Sequence, residues 1–143
     1  MKLATKKWIL VAVASLSMVA VGTGQIREIL KVLGVGAAVQ KFGPDINKAI
    51  NKLAGHKDTD ATFTKVVPIL TVGIGKSSAI GAAQVTGKRS NVEKVRAVAA
   101  PETELFGKEI RIRALIPISN DKVDQGIKKV EGVGISGIVD LKL

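Results

Sequence analysis

Two closely spaced glutamates are the residues of this sequence whose types best suit acid–base chemistry. Glu102 and Glu104 lie two positions apart on a predicted short strand, so both side chains are expected on one side of it. Paired carboxylates can serve as general acid and base, but only in a pocket that perturbs their pKa values. No sequence feature indicates such a pocket. We therefore interpret the pair as a solvated strand edge.

The single histidine lies in a polar segment, His56-Lys-Asp-Thr-Asp60, beside two aspartates. A metal site needs several ligands at set spacings, and a short polar linker does not supply them. A serine nucleophile would need an activating base, and no motif associates His56 with a serine. We predict no catalytic residue, no metal and no cofactor, and so a protein that is not an enzyme.

A glycine-rich stretch contains Gly75-Lys76-Ser77, which matches only the end of a phosphate-binding loop. That loop requires a glycine five positions before Gly75, where this chain has Leu70. We interpret the stretch as a hairpin turn.

The chain is strongly basic, with a formal net charge of +10. Such a charge favours anionic neighbours, namely phospholipid, envelope polymer or nucleic acid, without selecting one of them. Two arginines alternate with isoleucines in a predicted strand, and two lysines lie in a predicted helix. We therefore propose a candidate anionic contact surface formed by Arg111, Arg113, Lys128 and Lys129.

Residue types that are rare or missing exclude several classes of site. There is no cysteine, which removes disulfides, thiol nucleophiles and thiolate metal sites. Aromatic residues make up 3% of the chain, with one tryptophan and no tyrosine. RNA-binding sheets stack bases on aromatic side chains, so nucleic acid is a disfavoured partner.

Residues 1–24 have the pattern of a secretory signal peptide. Three lysines in the first seven residues precede an apolar run, Trp8–Val21, which small residues follow at Gly22-Thr23-Gly24. The run is shorter than the roughly 20 residues needed to span a bilayer. The alternative is an uncleaved N-terminal membrane anchor, because apolar character resumes at Ile26. We predict export to the periplasm, the cell surface or the extracellular space.

Residues 25–56 are predicted to form a helical hairpin. Apolar residues recur at three- and four-residue steps from Ile26 to Ala37 and again from Ile46 to Leu53. Phe42-Gly43-Pro44 is predicted to separate the two helices, because glycine suits a helix end and proline a first turn. Gly55 is predicted to end the second helix.

Residues 62–143 are predicted to form an α+β domain with a five-stranded, antiparallel-rich sheet and two helices. The β-branched stretch Thr64–Ile74 and the stretch Ser78–Thr86 are expected to pair as a hairpin. Pro68 favours an edge position for the first strand. The capping-box pattern Ser90-Asn-Val-Glu93 predicts a helix that ends near Ala100.

The three-residue spacing of Val92, Val95 and Val98 recurs at Ile127, Val130 and Val133. This repeat predicts a ferredoxin-like ββαββαβ order. Between the repeats, the alternation in Glu109–Ser119 predicts one strand with Ile112 and Ile116 in the core. A helix is expected from Asn120, and Val133–Leu143 is expected to form the last strand.

These observations favour a small exported, non-enzymatic binding or structural protein of the cell envelope. The expected partner is an envelope protein or an anionic polymer, and association with a membrane surface is consistent with the charge. The alternative is an extracytoplasmic nucleic-acid- or polyanion-binding protein that uses its basic surface, whose affinity would fall steeply with salt.

Overall fold

A five-stranded sheet carries one long helix on one face in the computed structural model, which describes residues 34–72, 78–120 and 126–141. Within these ranges there are two helices, α1 (Val35–Ala54) and α2 (Arg89–Val92). The strands are β1 (Phe63–Thr71), β2 (Ala79–Gly87), β3 (Ala97–Ala100), β4 (Glu102–Leu105), β5 (Ile110–Arg113), β6 (Ile116–Ile118) and β7 (Val133–Val139).

The sheet has the strand order β6-β3-β1-β2-β7, and β4 pairs separately with β5. β1 pairs antiparallel with β2 and parallel with β3, while β2–β7 and β3–β6 are antiparallel. The α+β class and the hairpin of the first two strands are confirmed. The predicted ferredoxin-like order is not found, and the sheet is mixed rather than antiparallel.

The predicted helix after Ser90 is wrong beyond its first turn. α2 has four residues, its N-cap is Lys88, and Ser90 is exposed without a capping role. Ala97–Ala100 forms β3, and all four of its residues are buried. A short, wholly apolar run fits a buried strand as well as a buried helix, and pairing with β1 and β6 decides in favour of the strand.

The second predicted helix is also not found where the structure describes it. Residues 121–125 lie outside the described residues. After them, Lys129 forms a bridge with Ile118, and the amide of Val130 donates to the Pro117 carbonyl at 2.9 Å. Residues 128–130 therefore run beside β6 as extended chain. The last predicted strand is confirmed as β7 from Val133, but it ends at Val139.

Residues 25–33 of the predicted helical hairpin lie outside the described residues, and from Val35 onward the chain forms one helix, α1, without the predicted break. Pro44 lies inside it, and Phe42 and Gly43 are buried. A proline removes one helical hydrogen bond, but the apolar residues on both sides of it pack on the sheet and keep the helix continuous. Gly55 ends α1 in the left-handed conformation as predicted, and the amide of His56 donates to the Asn51 carbonyl at 2.8 Å.

Both faces of the sheet are packed. Side chains of β1 and β2 alternate between a cluster beneath α1 and a cluster on the opposite face, as period-two strands require. The α1 side buries Val39, Val66 and Ala82. The opposite side is lined by Val67, Ile69, Ala83, Val85, Val92, Val95, Val98 and Ala100.

Pro68 lies in the central strand, although proline favours an edge. β3 pairs only with Ile69–Thr71, so Phe63–Pro68 has a single neighbour, β2, among the described strands. The first half of β1 is therefore locally an edge. A missing N–H on this open side removes no sheet hydrogen bond, which explains the proline.

The predicted signal peptide or anchor at residues 1–24 lies outside the described residues, as does the Gly75-Lys76-Ser77 turn. In the part of the chain that is described, no helix is long and apolar enough to cross a membrane.

Candidate functional site

A two-stranded ribbon formed by β4 and β5 continues the β3–β6 pair. Ala99 pairs with Ile116 in the sheet, and Glu102 pairs with Arg113 in the ribbon, so the register is the same on both sides of the junction. The Ala114 amide donates to the Pro101 carbonyl at 3.0 Å between them. One hairpin thus begins in the core and ends in a ribbon whose eight strand residues are all exposed.

One face of the ribbon carries cross-strand ion pairs. The Arg113 Nε and Nη2 atoms lie 2.7 Å and 2.5 Å from Glu102 Oε1. Arg111 Nη2 lies 4.0 Å from Glu104 Oε1. Each arginine thus lies beside a glutamate of opposite charge, and both pairs are exposed to solvent. Each of the two glutamates thus has an arginine partner across the ribbon.

The other face of the ribbon is apolar and exposed. Leu105, Ile110 and Ile112 keep between 43% and 45% of their surface accessible. The core position predicted for Ile112 is wrong, because the predicted strand Glu109–Ser119 ends at Arg113 and resumes at Ile116. Ile118, on the same side of the hairpin by register, is fully buried.

The tip of the ribbon exposes an aromatic ring. Phe106 is 74% accessible, and its backbone has a φ of 53°. Lys108, also at the tip, has a φ of 84°. Residues other than glycine rarely adopt this left-handed backbone conformation, and the exceptions often occur at functional sites. The tip therefore holds an apolar ring and a lysine outward at the end of the hairpin.

The four residues of the predicted contact surface do not come together. Lys128 and Lys129 are exposed beside Ile118, at the end of β6 away from the ribbon. Ile118 lies five positions after Arg113, a distance of about 16 Å along the hairpin. The arginines and the lysines thus form two separate surfaces.

A hydrogen-bonded network of side chains joins α1 to the sheet. Gln84, which is buried, donates to Asn47 Oδ1 at 2.9 Å and to Asn51 Oδ1 at 2.8 Å. Its own Oε1 accepts from the Ser136 hydroxyl at 2.7 Å. The amides of Asn47 and Asn51 donate to Thr64 Oγ1 at 3.0 Å and 2.9 Å. The network is internally satisfied, which indicates a structural role.

The predicted linker, His56–Asp60, extends this network to the surface. Thr64 Oγ1 donates to Asp58 Oδ1 at 2.6 Å, and His56 Nε2 lies 3.3 Å from the same oxygen. His56 Nε2 also lies 2.9 Å from the Thr62 carbonyl. Among the described residues no group of three or more histidine, aspartate or glutamate side chains is placed to hold a metal ion.

A groove of about 680 Å³ runs along the open half of β1. α1 forms one wall, and the segment between α2 and β3 contributes Glu93 and Arg96 to the other. The Lys65 amine enters the groove wall and donates to the Val95 carbonyl at 2.7 Å. Burial lowers the pKa of Lys65, the nearby Arg96 charge lowers it further, and Glu93 opposes the change.

Sequence reasoning missed both the ribbon's apolar face and the groove. Alternation of isoleucine and arginine did signal a two-faced strand, but it could not tell which face is covered. Pro68 was the signal for the open edge of β1. Comparison with known proteins found no matching protein family, no similar curated protein and no similar solved structure.

Proposed function

We propose that this chain is a small exported, non-enzymatic protein of the cell envelope that binds a membrane surface through its β4–β5 ribbon. The observation that carries the proposal is the exposed apolar face of the ribbon, with Phe106 at its tip. A protruding hairpin with an apolar end suits insertion between lipid headgroups, whereas a second folded protein would need a broader patch.

The two faces of the ribbon match the two sides of a membrane interface. Leu105, Ile110 and Ile112 would meet the acyl boundary while the glutamate–arginine pairs remain in water. The outer edges of a two-stranded ribbon have unpaired backbone groups, which are costly in hydrocarbon. Insertion is therefore confined to the headgroup region, as for amphipathic interfacial helices.

The free energies expected for membrane binding are those of a reversible contact. Burying the accessible parts of the four apolar side chains corresponds to roughly 3–6 kcal/mol of transfer free energy. Lys108 adds about 1 kcal/mol at an anionic surface. The net charge is +10 for the full chain and, without the three lysines of residues 1–24, 10 − 3 = +7 for the exported form, which strengthens the attraction to anionic phospholipid over zwitterionic phospholipid.

Export rests on the pattern of residues 1–24 and is tested separately. Protein made in an exporting host is expected to lose about 22–24 residues by intact mass. A full-length mass in the soluble cytoplasmic fraction would contradict export.

Membrane contact is tested with a single fluorescent label, because the chain contains no cysteine. Phe106→Cys is labelled with an environment-sensitive dye and mixed with vesicles of phosphatidylglycerol and phosphatidylcholine. The emission is expected to shift to the blue as the dye leaves water. Leu53→Cys is the matched control, since Leu53 is 90% exposed on α1.

The label reports the ribbon even if another part of the chain binds the vesicles. A blue shift at position 106 and none at position 53 supports the proposal. No shift at position 106, or equal shifts at both positions, contradicts it. The unlabelled double variant Phe106→Ser, Ile112→Ser is expected to lower the fraction of protein that sediments with the vesicles.

The polyanion alternative receives less support from the contacts. Arg111 and Arg113, which were predicted to bind anions, are paired with glutamates, and Lys128 and Lys129 lie elsewhere. Heparin or nucleic acid that bound with a steep salt dependence, lost on Arg111→Ala and Arg113→Ala, would favour that alternative.

A further inference from the structure

The geometry points to a second binding site: we propose that the groove beside the first half of β1 binds an extended acidic peptide as an added strand. The site is distinct from the ribbon. It consists of the open edge of the central strand β1, a wall formed by α1 and a small group of charged side chains.

The open edge supplies the main-chain contacts. β3 occupies the place beside Ile69–Thr71, and its chain enters from α2 without pairing with Phe63–Pro68. An added peptide would take the position in the sheet that β3 leaves empty among the described residues. Six residues of β1 offer about 20 Å of edge, enough for a short strand. Pro68 contributes a carbonyl but no N–H, and the Thr64 carbonyl already accepts from the Asn47 side-chain amide at 3.5 Å. Peptides that add to a sheet edge gain affinity from such backbone hydrogen bonds.

α1 approaches this edge closely because of one small residue. Gly43 is buried, and a Cβ atom built on it would lie 3.4 Å from the Val66 carbonyl oxygen. The absence of a side chain at position 43 therefore lets α1 pack against β1 at this wall of the groove. Pro44, which is exposed on α1, gives the same wall an apolar surface for a ligand side chain.

Charge selects the class of peptide. Lys65 and Arg96 line the groove with one acid, Glu93, and none of the three forms an ion pair within the described parts of the chain. An ammonium group has three N–H donors, and Lys65 is seen to direct one of them at the Val95 carbonyl. The excess positive charge favours a ligand with carboxylates and disfavours a basic one.

The probe is an N-acetylated hexapeptide of alternating valine and aspartate, titrated into the full-length protein by calorimetry. We expect binding that is lost when alternate amides of the peptide are N-methylated, because methylation removes the donors that pair with β1. A hexapeptide of alternating valine and lysine is expected not to bind. Absence of binding by the acidic peptide overturns the proposal.

Variants locate the site. Arg96→Glu is expected to weaken binding about tenfold or more, through a reversed charge at the groove. Lys94→Glu makes the same charge change on an exposed residue that does not line the groove, and is expected to have a smaller effect. Equal effects of the two variants would mean that only net charge matters, which contradicts a built site.

The outer edge of β7 is the competing position for an added strand. Ile138 is 61% exposed on that strand, and Ile138→Asp would repel an acidic peptide there without disturbing the core. Binding that survives Ile138→Asp and falls with Arg96→Glu supports the groove. Binding that falls with Ile138→Asp and survives Arg96→Glu assigns the peptide to β7 and overturns the proposal.

Discussion

Two isoleucines on one side of the same hairpin provide a direct test of where the core ends. Ile112 and Ile118 share a side by register, since Ala97 pairs with Ile118 and Thr103 pairs with Ile112 without a shift between them. They differ in position along the hairpin: Ile118 is fully buried, and Ile112 keeps 43% of its surface exposed. Each is changed to alanine.

The expected losses of stability differ severalfold. Ile118→Ala removes three carbon atoms from a closed site and leaves a cavity, which costs about 2–5 kcal/mol. Ile112→Ala leaves no cavity, because water already reaches the side chain. Only the covered part of its transfer free energy is lost, about 1 kcal/mol, including its contact with Thr103 across the ribbon.

Urea denaturation measures both free energies of unfolding. With a slope of about 1–3 kcal/mol per molar, Ile118→Ala is expected to lower the midpoint by about 1 M or more. Ile112→Ala is expected to lower it by a fraction of that, with the same slope. If Ile112→Ala costs as much as Ile118→Ala, the apolar face of the ribbon is covered, and the membrane contact proposed for it is wrong.

Two further predictions concern the polar groups. Gln84→Leu leaves the side-chain oxygens of Asn47 and Asn51 without their buried donor, and is expected to lower the unfolding free energy by about 1–3 kcal/mol or more. Gln40→Leu, at an exposed position of α1, is the control and should change the unfolding free energy by less than about 0.5 kcal/mol. Similar losses for the two variants would argue against the network. Because the pKa of Lys65 is lowered in the folded protein, the unfolded chain binds more protons between that pKa and 10.5, and the stability due to this group should rise with pH across that window. Lys65→Met should abolish this rise in urea titrations at several pH values. An unchanged pH dependence of stability in the variant would contradict the prediction.

Local chemistry was enough to predict some elements. β-branched residues on both sides of a glycine-rich turn predicted the β1–β2 hairpin. Gly55 ends α1 because only a residue without a side chain adopts the left-handed conformation at little cost. Alternating residues from Val133 predicted β7. In each case a local preference and the tertiary contacts agree.

The candidate sites depended on contacts that lie far apart in the sequence. Arg111 and Arg113 have the same local pattern whether they face solvent alone or face two glutamates, and it is the pairing of β4 with β5 that brings the glutamates beside them. Pro68 indicated an edge, but its place in the central strand follows from where β3 begins to pair. The groove exists because β3 pairs with β1 only from Ile69 onward and leaves the first half of β1 open.

The sequence by itself determined the α+β class, a basic chain without cysteine, and the positions of several turns, because composition, backbone preference and period-two alternation act locally. The tertiary structure alone decided that Ala97–Ala100 is a strand, that α1 continues through Pro44, and that Ile112 is exposed while Ile118 is buried. A short apolar segment gains similar free energy in a helix or a strand once it is buried. The partner that buries it, here β1 and β6 on either side of β3, therefore decides its conformation.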